Sequence, residues 1–227
     1  MIKAAVFDLD HTLFDRYGTL AAIMKPFCSH FKMGEGMTLE KATAMMTDAD
    51  KRFVHRGWPC IYKYLCENGF FAEPPTYDEY SETLLSEFRK QTVPYPFTKP
   101  MLDELHSMGL KTGLITNGRS EVQRGKLSKL GLESYLDEII ISGEFGEEKP
   151  SPAPYLAMAE KLGFKPGEII YVGDNPATDI QGARNAGYIP VWVSTLGWWS
   201  VPEIEKTKYA VSDVSEVPDL VRKINAE

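Results

Sequence analysis

Short apolar runs recur in the first residues of the chain and again from about residue 110 onwards. The first run, Ile2–Phe7, is interrupted only by Lys3, and such a run is typical of a strand buried on both faces. Five further runs follow, the last of them weaker: Leu110–Thr116, Glu138–Ser142, Glu168–Gly173, Ile189–Ser194 and Tyr209–Ser212. The pattern therefore predicts a sheet that is covered on both sides.

Helical patterns with start and stop signals lie between most of these strands. The residues placed to cap them at their N-termini are Ser151, Asn175 or Thr178, and Ser215. Strands that alternate with helices need crossover connections, which produce parallel pairing. The predicted fold class is therefore α/β, with a doubly wound parallel sheet.

Residues 16–93 break this alternation. They show no convincing strand pattern, whereas helical patterns recur around 18–32, 38–54, 59–68 and 76–90. Turns rich in Gly and Pro separate these helices, and a stiff proline segment follows them. We therefore expect an α/β core formed by residues 1–15 and 94–227, with an all-helical insert formed by residues 16–93.

Composition excludes several classes of protein. The 227 residues carry a formal net charge of −7, which disfavours a basic face for nucleic acid. No apolar run approaches the roughly 18 residues of a membrane span, and the N-terminal run is too short for a signal peptide. The three cysteines lack C-x-x-C spacing, which favours a reducing cytoplasm over a disulfide framework. We expect a cytoplasmic protein without nucleic-acid or membrane partners, either a monomer or a homodimer.

Two carboxylates come directly after the first predicted strand. Asp8 and Asp10 lie where that strand leaves the sheet, which is the usual ligand-binding edge of an α/β fold. The spacing alone proves little, because 12 aspartates in 227 residues give about 0.6 such pairs by chance. A second pair, Asp48 and Asp50, lies in a helical pattern, where a solvated helix surface is the better explanation.

Three further polar motifs follow other predicted strands. Asp174 comes directly after one strand, and Asp179 lies five residues later. Thr116 ends another strand and is followed by Asn117, while Lys149 comes after a third. Each has an ordinary alternative, since helix caps and first-turn acids explain the first two motifs and an isolated lysine is usually solvated.

Their common position strengthens the case for a site. The carboxyl ends of parallel strands meet at one edge of the sheet, so these side chains should lie together. A cluster of carboxylates would repel itself, and a hard divalent cation with oxygen ligands removes that repulsion. Mg²⁺ typically takes one or two carboxylates together with substrate phosphate, and a hydroxyl and an ammonium group would then hold the phosphate oxygens.

These motifs resemble those of the haloacid dehalogenase superfamily, in its phosphatase branch. The matches run in the family's order along the whole chain: D-x-D-x-T from Asp8 to Thr12, Thr116 with Asn117, Lys149, and G-D-x-x-x-x-D from Gly173 to Asp179. The resemblance implies a central strand order of 3-2-1-4-5, and the helical insert is similar to the family's helical (C1-type) cap. His11 departs from the pattern, because glycine is more usual there, and we assign it no catalytic role.

The resemblance also implies catalytic roles. Asp8 is expected to be the nucleophile that forms an aspartyl-phosphate. Asp10 is expected to protonate the leaving oxygen and then to activate the water that hydrolyses the intermediate. Mg²⁺ is expected to bind the Asp8 carboxylate, the Asp10 backbone carbonyl and Asp174.

Four further residues are expected around the phosphate. Thr116 and Lys149 would bind its oxygens, and Asn117 would add a backbone or side-chain donor. Asp179 would lie behind them and orient Lys149 or a metal-bound water.

The expected activity is Mg²⁺-dependent hydrolysis of a small phosphorylated metabolite, such as a nucleoside monophosphate, phosphoglycolate or a sugar phosphate. A phosphomutase or a dehalogenase of the same superfamily is the alternative, followed by a catalytically silent binding protein. Asp10 favours phosphoryl transfer, because the family's dehalogenases lack an acid there and a halide needs no proton to leave. Residues 51–58 could contact substrate, although an amphipathic helix end is the better interpretation. For Trp198 and Trp199 we expect a packing role.

Overall fold

The structure, a computed structural model, describes residues 1–53, 56–194, 199 and 201–227. It divides into two compact units. We call Met1–Asp15 with Pro94–Glu227 the core unit, and Arg16–Val93 the helical unit. Two segments considered above are only partly described. In residues 51–58, Val54 and His55 lie outside the described residues, and in the tryptophan pair Trp198 does.

Eight strands occur in the described residues. In chain order they are β1 (Ala4–Phe7), β2 (Phe14–Asp15), β3 (Val93–Pro94), β4 (Lys111–Thr116), β5 (Glu138–Ile141), β6 (Ile169–Gly173), β7 (Ile189–Val193) and β8 (Tyr209–Val211). Six of them form a parallel sheet in the order β5-β4-β1-β6-β7-β8, while β2 and β3 pair separately. The predicted fold class and the 3-2-1-4-5 order are confirmed, with β8 added beyond the fifth strand.

The described helices follow the predicted pattern closely. They are α1 (Arg16–Ser29), α2 (Leu39–Phe53), α3 (Trp58–Glu67), α4 (Tyr77–Gln91), α5 (Thr98–Ser107), α6 (Ser120–Leu130), α7 (Ser142–Phe145), α8 (Pro152–Leu162), α9 (Gln181–Asn185) and α10 (Val217–Ala226). A π-helical turn, Pro176–Ile180, leads into α9. No helix within these ranges is both long and apolar enough to span a bilayer.

Two of the predicted helix caps are present and one is wrong. The Ser151 hydroxyl accepts a hydrogen bond from the N–H of Ala153 at the start of α8, and Asn175 caps the π-helical turn in the same way. Ser215 does not cap the last helix. A 3₁₀ turn precedes α10, so the cap is needed earlier, and Asp213 accepts the hydrogen bond from the N–H of Ser215.

The register of the sheet brings the predicted site residues to one edge. In the centre, β1 pairs with β4 and β6, so that Phe7 lies opposite both Leu114 and Val172. The N–H of Asp8 continues this pattern by donating to the carbonyl of Val172 at 2.9 Å. Asp8 and the residue after β6, Asp174, therefore leave adjacent strands at the same edge.

The helical unit encloses its own aromatic core. Phe27 of α1 is fully buried, and its ring centre lies 5.7 Å from that of Tyr80 and 6.4 Å from that of Phe70. Leu65 and Phe88, from α3 and α4, are also fully buried. The three cysteines of this unit, Cys28, Cys60 and Cys66, are free thiols.

One prediction in this unit is wrong, because Asp50 does not lie on a solvated surface. Its carboxylate is fully buried and receives the guanidinium fork of Arg16 at 2.7–3.2 Å. The guanidinium of Arg16 also lies 4.5 Å from the ring centre of Trp58. Asp48 is half-exposed and pairs with Arg52 at 2.7 Å. A buried carboxylate needs such a partner, since burial of an unpaired charge is very costly.

Candidate active site

The predicted site residues come from five segments of the core unit. Asp8 follows β1, Thr116 ends β4, and Asp174 follows β6. Lys149 comes from the segment before α8, and Asp179 from the π-helical turn. All five are at least nine-tenths buried, with Asp8 and Asp174 each 7% exposed.

Lys149 joins two of the carboxylates. Its Nζ donates to Asp8 Oδ1 at 2.6 Å and to Asp179 Oδ1 at 2.7 Å. A third hydrogen bond, of 2.8 Å, goes to the Tyr171 hydroxyl, which itself donates to the carbonyl of Ile115 at 2.9 Å. The three donors of the ammonium group therefore all have partners, which holds the head group in a single position.

Asp179 packs tightly under the end of β6. Its Oδ2 accepts a hydrogen bond from the N–H of Asn175 at 3.0 Å. A Cβ added at Gly173 would lie 2.5 Å from the Asp179 Cγ, so this close approach requires glycine.

The backbone of His11 has an unusual conformation, because its φ of 61° lies in the left-handed region that glycine adopts most easily. Glycine, which is more usual at this position in the family that the motifs resemble, would adopt this φ without strain.

Asp10 is held by a helix that the sequence analysis did not include in the site. The Nζ of Lys126 lies 2.9 Å from each Asp10 carboxylate oxygen. The side-chain amide of Gln123 donates to Asp10 Oδ2 at 3.2 Å. Both residues belong to α6 and are three positions apart, so they share one face of the helix.

The end of β4 is linked to the same helix and to Lys149. The amide of Gln123 also lies 2.6 Å from Thr116 Oγ1 and 3.1 Å from the carbonyl of Asn117. The Asn117 side chain pairs with the backbone of Lys149, donating to its carbonyl and accepting from its N–H, both at 2.9 Å. The Asn117 side chain thus fixes the Lys149 backbone.

Burial governs the electrostatics of Asp8 and Lys149. The pKa of Asp8 is raised to about 7, because burial raises it most strongly, Lys149 lowers it, and the neighbouring Asp179 and Asp10 raise it. Burial lowers the pKa of Lys149, but Asp179 and Asp8 outweigh this effect, so its pKa lies above the ordinary value. Lys149 therefore stays positively charged at neutral pH.

The donor set at this edge fits Mg²⁺. Asp8, Asp174 and Asp179 each offer an oxygen, and these oxygens lie within 4.8 Å of one another. Hard oxygen donors of this kind are the ligands that Mg²⁺ prefers. With Asp10 included, the site contains four carboxylates and two ammonium groups, those of Lys149 and Lys126. When all six groups are ionised, the site carries two net negative charges. One divalent cation balances that charge.

Comparisons with known proteins agree with this arrangement. Residues 5–193 match the model of the haloacid dehalogenase-like hydrolases. The chain is 31% identical over 242 residues to N-acylneuraminate-9-phosphatase of Rattus norvegicus, covering 100% of this chain and 96% of that one. It is 29% identical over 231 residues to glyceraldehyde 3-phosphate phosphatase of Methanothermobacter thermautotrophicus, covering 97% and 98%. L-2-haloacid dehalogenase of Xanthobacter autotrophicus has a similar structure, with a TM-score of 0.70, 22% identity and coverage of 98% and 99%.

Proposed function

We propose that this chain, which belongs to the haloacid dehalogenase-like hydrolase family, is a Mg²⁺-dependent phosphatase that works through an aspartyl-phosphate on Asp8. Membership confirms the resemblance that the four motifs predicted. The observation that carries the proposal is the cluster of Asp8, Asp174 and Asp179 oxygens within 4.8 Å, with Lys149 bridging two of them.

The chain is a phosphoric monoester hydrolase. The two relatives described above, which align with it over nearly their whole length, are phosphatases. The dehalogenase is less than 25% identical and supports the fold alone. Asp10 further supports phosphoryl transfer, because an alkoxide leaving group needs a proton and a halide does not.

The proposed reaction has two steps. A carboxylate oxygen of Asp8 attacks phosphorus, the bond from phosphorus to the leaving oxygen breaks, and Asp10 gives its proton to that oxygen. The products are an alcohol and a phosphoryl group on Asp8. A water molecule then attacks the phosphorus, gives a proton to Asp10 and releases inorganic phosphate, which restores both carboxyl groups.

The other residues bind and orient the phosphate. We propose that Thr116 and the backbone N–H of Asn117 donate to its non-bridging oxygens. Lys149 would do the same by exchanging one of its three present hydrogen bonds for a phosphate oxygen, and Asp179 would orient it. The carboxylates of Asp8 and Asp174 and the Asp10 carbonyl would hold Mg²⁺. The ion supplies positive charge that lets one anion attack another.

We propose a small phosphorylated metabolite as the substrate, with sugar phosphates ahead of nucleoside monophosphates and phosphoglycolate. This order is supported by the two relatives, which are named N-acylneuraminate-9-phosphatase and glyceraldehyde 3-phosphate phosphatase. We also propose that the core unit is the catalytic domain, that the helical unit is a cap, and that the protein acts in the cytoplasm.

The test is hydrolysis of p-nitrophenyl phosphate and of a panel of phosphorylated metabolites, with Mg²⁺ and with EDTA. We expect turnover only with Mg²⁺. Asp8→Asn should abolish it, and Asp10→Asn should lower it by about 10²–10⁴-fold, with unchanged circular dichroism. Substantial activity in either variant refutes the assigned roles. Dependence on a bisphosphate activator would indicate a phosphomutase, and Mg²⁺-independent halide release would indicate a dehalogenase.

A further inference from the structure

The Asp10 carboxylate is clamped by one face of α6. The Lys126 Nζ lies at the same distance, 2.9 Å, from both of its oxygens, and the Gln123 amide lies 3.2 Å from one of them. A contact to each oxygen fixes the plane of the carboxyl group as well as its position. The Lys126 side chain is buried, whereas 25% of the Asp10 side chain is exposed, so this ion pair is partly shielded from solvent and differs from a surface contact.

Gln123 also connects Asp10 to the phosphate-binding end of β4. The same side-chain nitrogen that reaches Asp10 lies 2.6 Å from Thr116 Oγ1 and 3.1 Å from the carbonyl of Asn117. Gln123 is 2% exposed, and no part of its amide is left to move freely in solvent. The helix therefore sets the distance between the carboxyl group and the strand end where the phosphate would bind.

We propose that Lys126 and Gln123 are positioning residues, which hold the Asp10 carboxyl group in line with the leaving oxygen of the substrate. The inference rests on the proposed function, since it needs Asp10 to be the proton donor. Proton transfer depends on a heavy-atom distance near 3 Å, and a displacement of about 1 Å elsewhere in a site can lower a rate by about 10²-fold. Neither residue needs to touch the substrate for this effect.

The leaving group provides a readout that separates positioning from a merely structural role. Nitrophenolate leaves without a proton, whereas the alkoxide of a sugar phosphate needs one. Because kcat/KM reports the steps up to the first irreversible one, it reflects the transfer to Asp8 and the protonation that accompanies it. A misplaced Asp10 should therefore lower kcat/KM for a sugar phosphate more than for p-nitrophenyl phosphate.

The experiment compares Lys126→Met and Gln123→Leu with the wild type on both substrates, the sugar phosphate being one that the wild type hydrolyses. We divide kcat/KM for the sugar phosphate by kcat/KM for p-nitrophenyl phosphate. For Lys126→Met we expect this ratio to fall by at least about 10-fold relative to the wild type. For Gln123→Leu we expect a smaller change in the same direction. Lys129→Met, at an exposed position of the same helix, is the matched control and should change neither value.

Equal losses on both substrates would overturn the inference, because a general loss of structure or of phosphate binding has no leaving-group preference. If Lys126→Met does not fold, as judged by circular dichroism, the ratio for Gln123→Leu decides in the same way. Failure of the wild type to hydrolyse either substrate with Mg²⁺ would instead refute the proposed function itself.

Discussion

Replacing Asp8 by Asn should inactivate the protein and at the same time stabilise it in the absence of metal. The reason is the pKa of the Asp8 carboxyl group, which burial and the neighbouring carboxylates, opposed by Lys149, raise from 3.8 to about 7. A pKa that is higher in the folded than in the unfolded chain means that the folded state binds the proton more tightly. The stability of the wild type therefore falls as pH rises from about 4 to about 7.

The size of the effect follows from that shift. Each pKa unit corresponds to about 1.4 kcal/mol, so ionised Asp8 lowers the free energy of unfolding by about 4 kcal/mol above pH 7. Asn keeps the shape of the side chain and carries no charge. For a chain of this length the difference corresponds to a melting temperature higher by about 10 °C at pH 8, and to almost no difference near pH 4.

The assay is thermal unfolding in EDTA across this pH range, followed by circular dichroism. Asp103→Asn, at an exposed position on α5, is the matched control and should follow the wild type. Saturating Mg²⁺ should reduce or reverse the difference, because the ion binds the ionised carboxylate of the wild type more strongly than the amide of the variant. An Asp8→Asn protein that gains no stability, or gains the same amount at every pH, would refute the reasoning.

Two further substitutions test the buried contacts. Asp50→Ala should lower the free energy of unfolding by about 3–5 kcal/mol in urea titrations, because it leaves a buried guanidinium without its carboxylate; Asp48→Ala should cost less than about 1 kcal/mol. A small effect at Asp50 would contradict the buried ion pair. Gly173→Ala should lower phosphatase activity by at least about 10-fold, because its Cβ would lie 2.5 Å from the Asp179 Cγ and displace the partner of Lys149. Gly167→Ala, whose Cβ would enter open space, should keep full activity, and equal activities of the two variants would contradict the tight contact.

The sequence predicted the parts of the site that follow strands. Asp8, Thr116 and Asp174 come at the ends of apolar runs, and the geometry of a parallel sheet brings such residues to one edge. The order of the strands could not be predicted in this way, because apolar runs do not show which strand lies beside which. That order came from the resemblance to a known family, and the observed order β5-β4-β1-β6-β7 confirms it.

Residues that depend on distant partners were missed. Lys126 lies in the middle of a helical pattern, and its partner Asp10 is 116 positions away in the chain. Asp50 pairs with Arg16, 34 positions away, and was assigned to a solvated surface for the same reason. A charged residue in a helix is usually exposed, and only a tertiary contact shows that it is buried with a partner. A weak signal for Lys126 was available, since it lies four positions from both Val122 and Leu130 and therefore on the same face of α6 as these apolar residues.

The central claim is that Asp8 carries the phosphoryl group in a Mg²⁺-dependent reaction, and acid quenching during turnover tests it most directly. Peptides from the quenched protein would be analysed by mass spectrometry for a phosphoryl group. The account predicts one phosphoryl group on Asp8 when substrate and Mg²⁺ are both present, and none in EDTA or in Asp8→Asn. Turnover without any phosphoryl group on Asp8, or with the group on another residue, would contradict it.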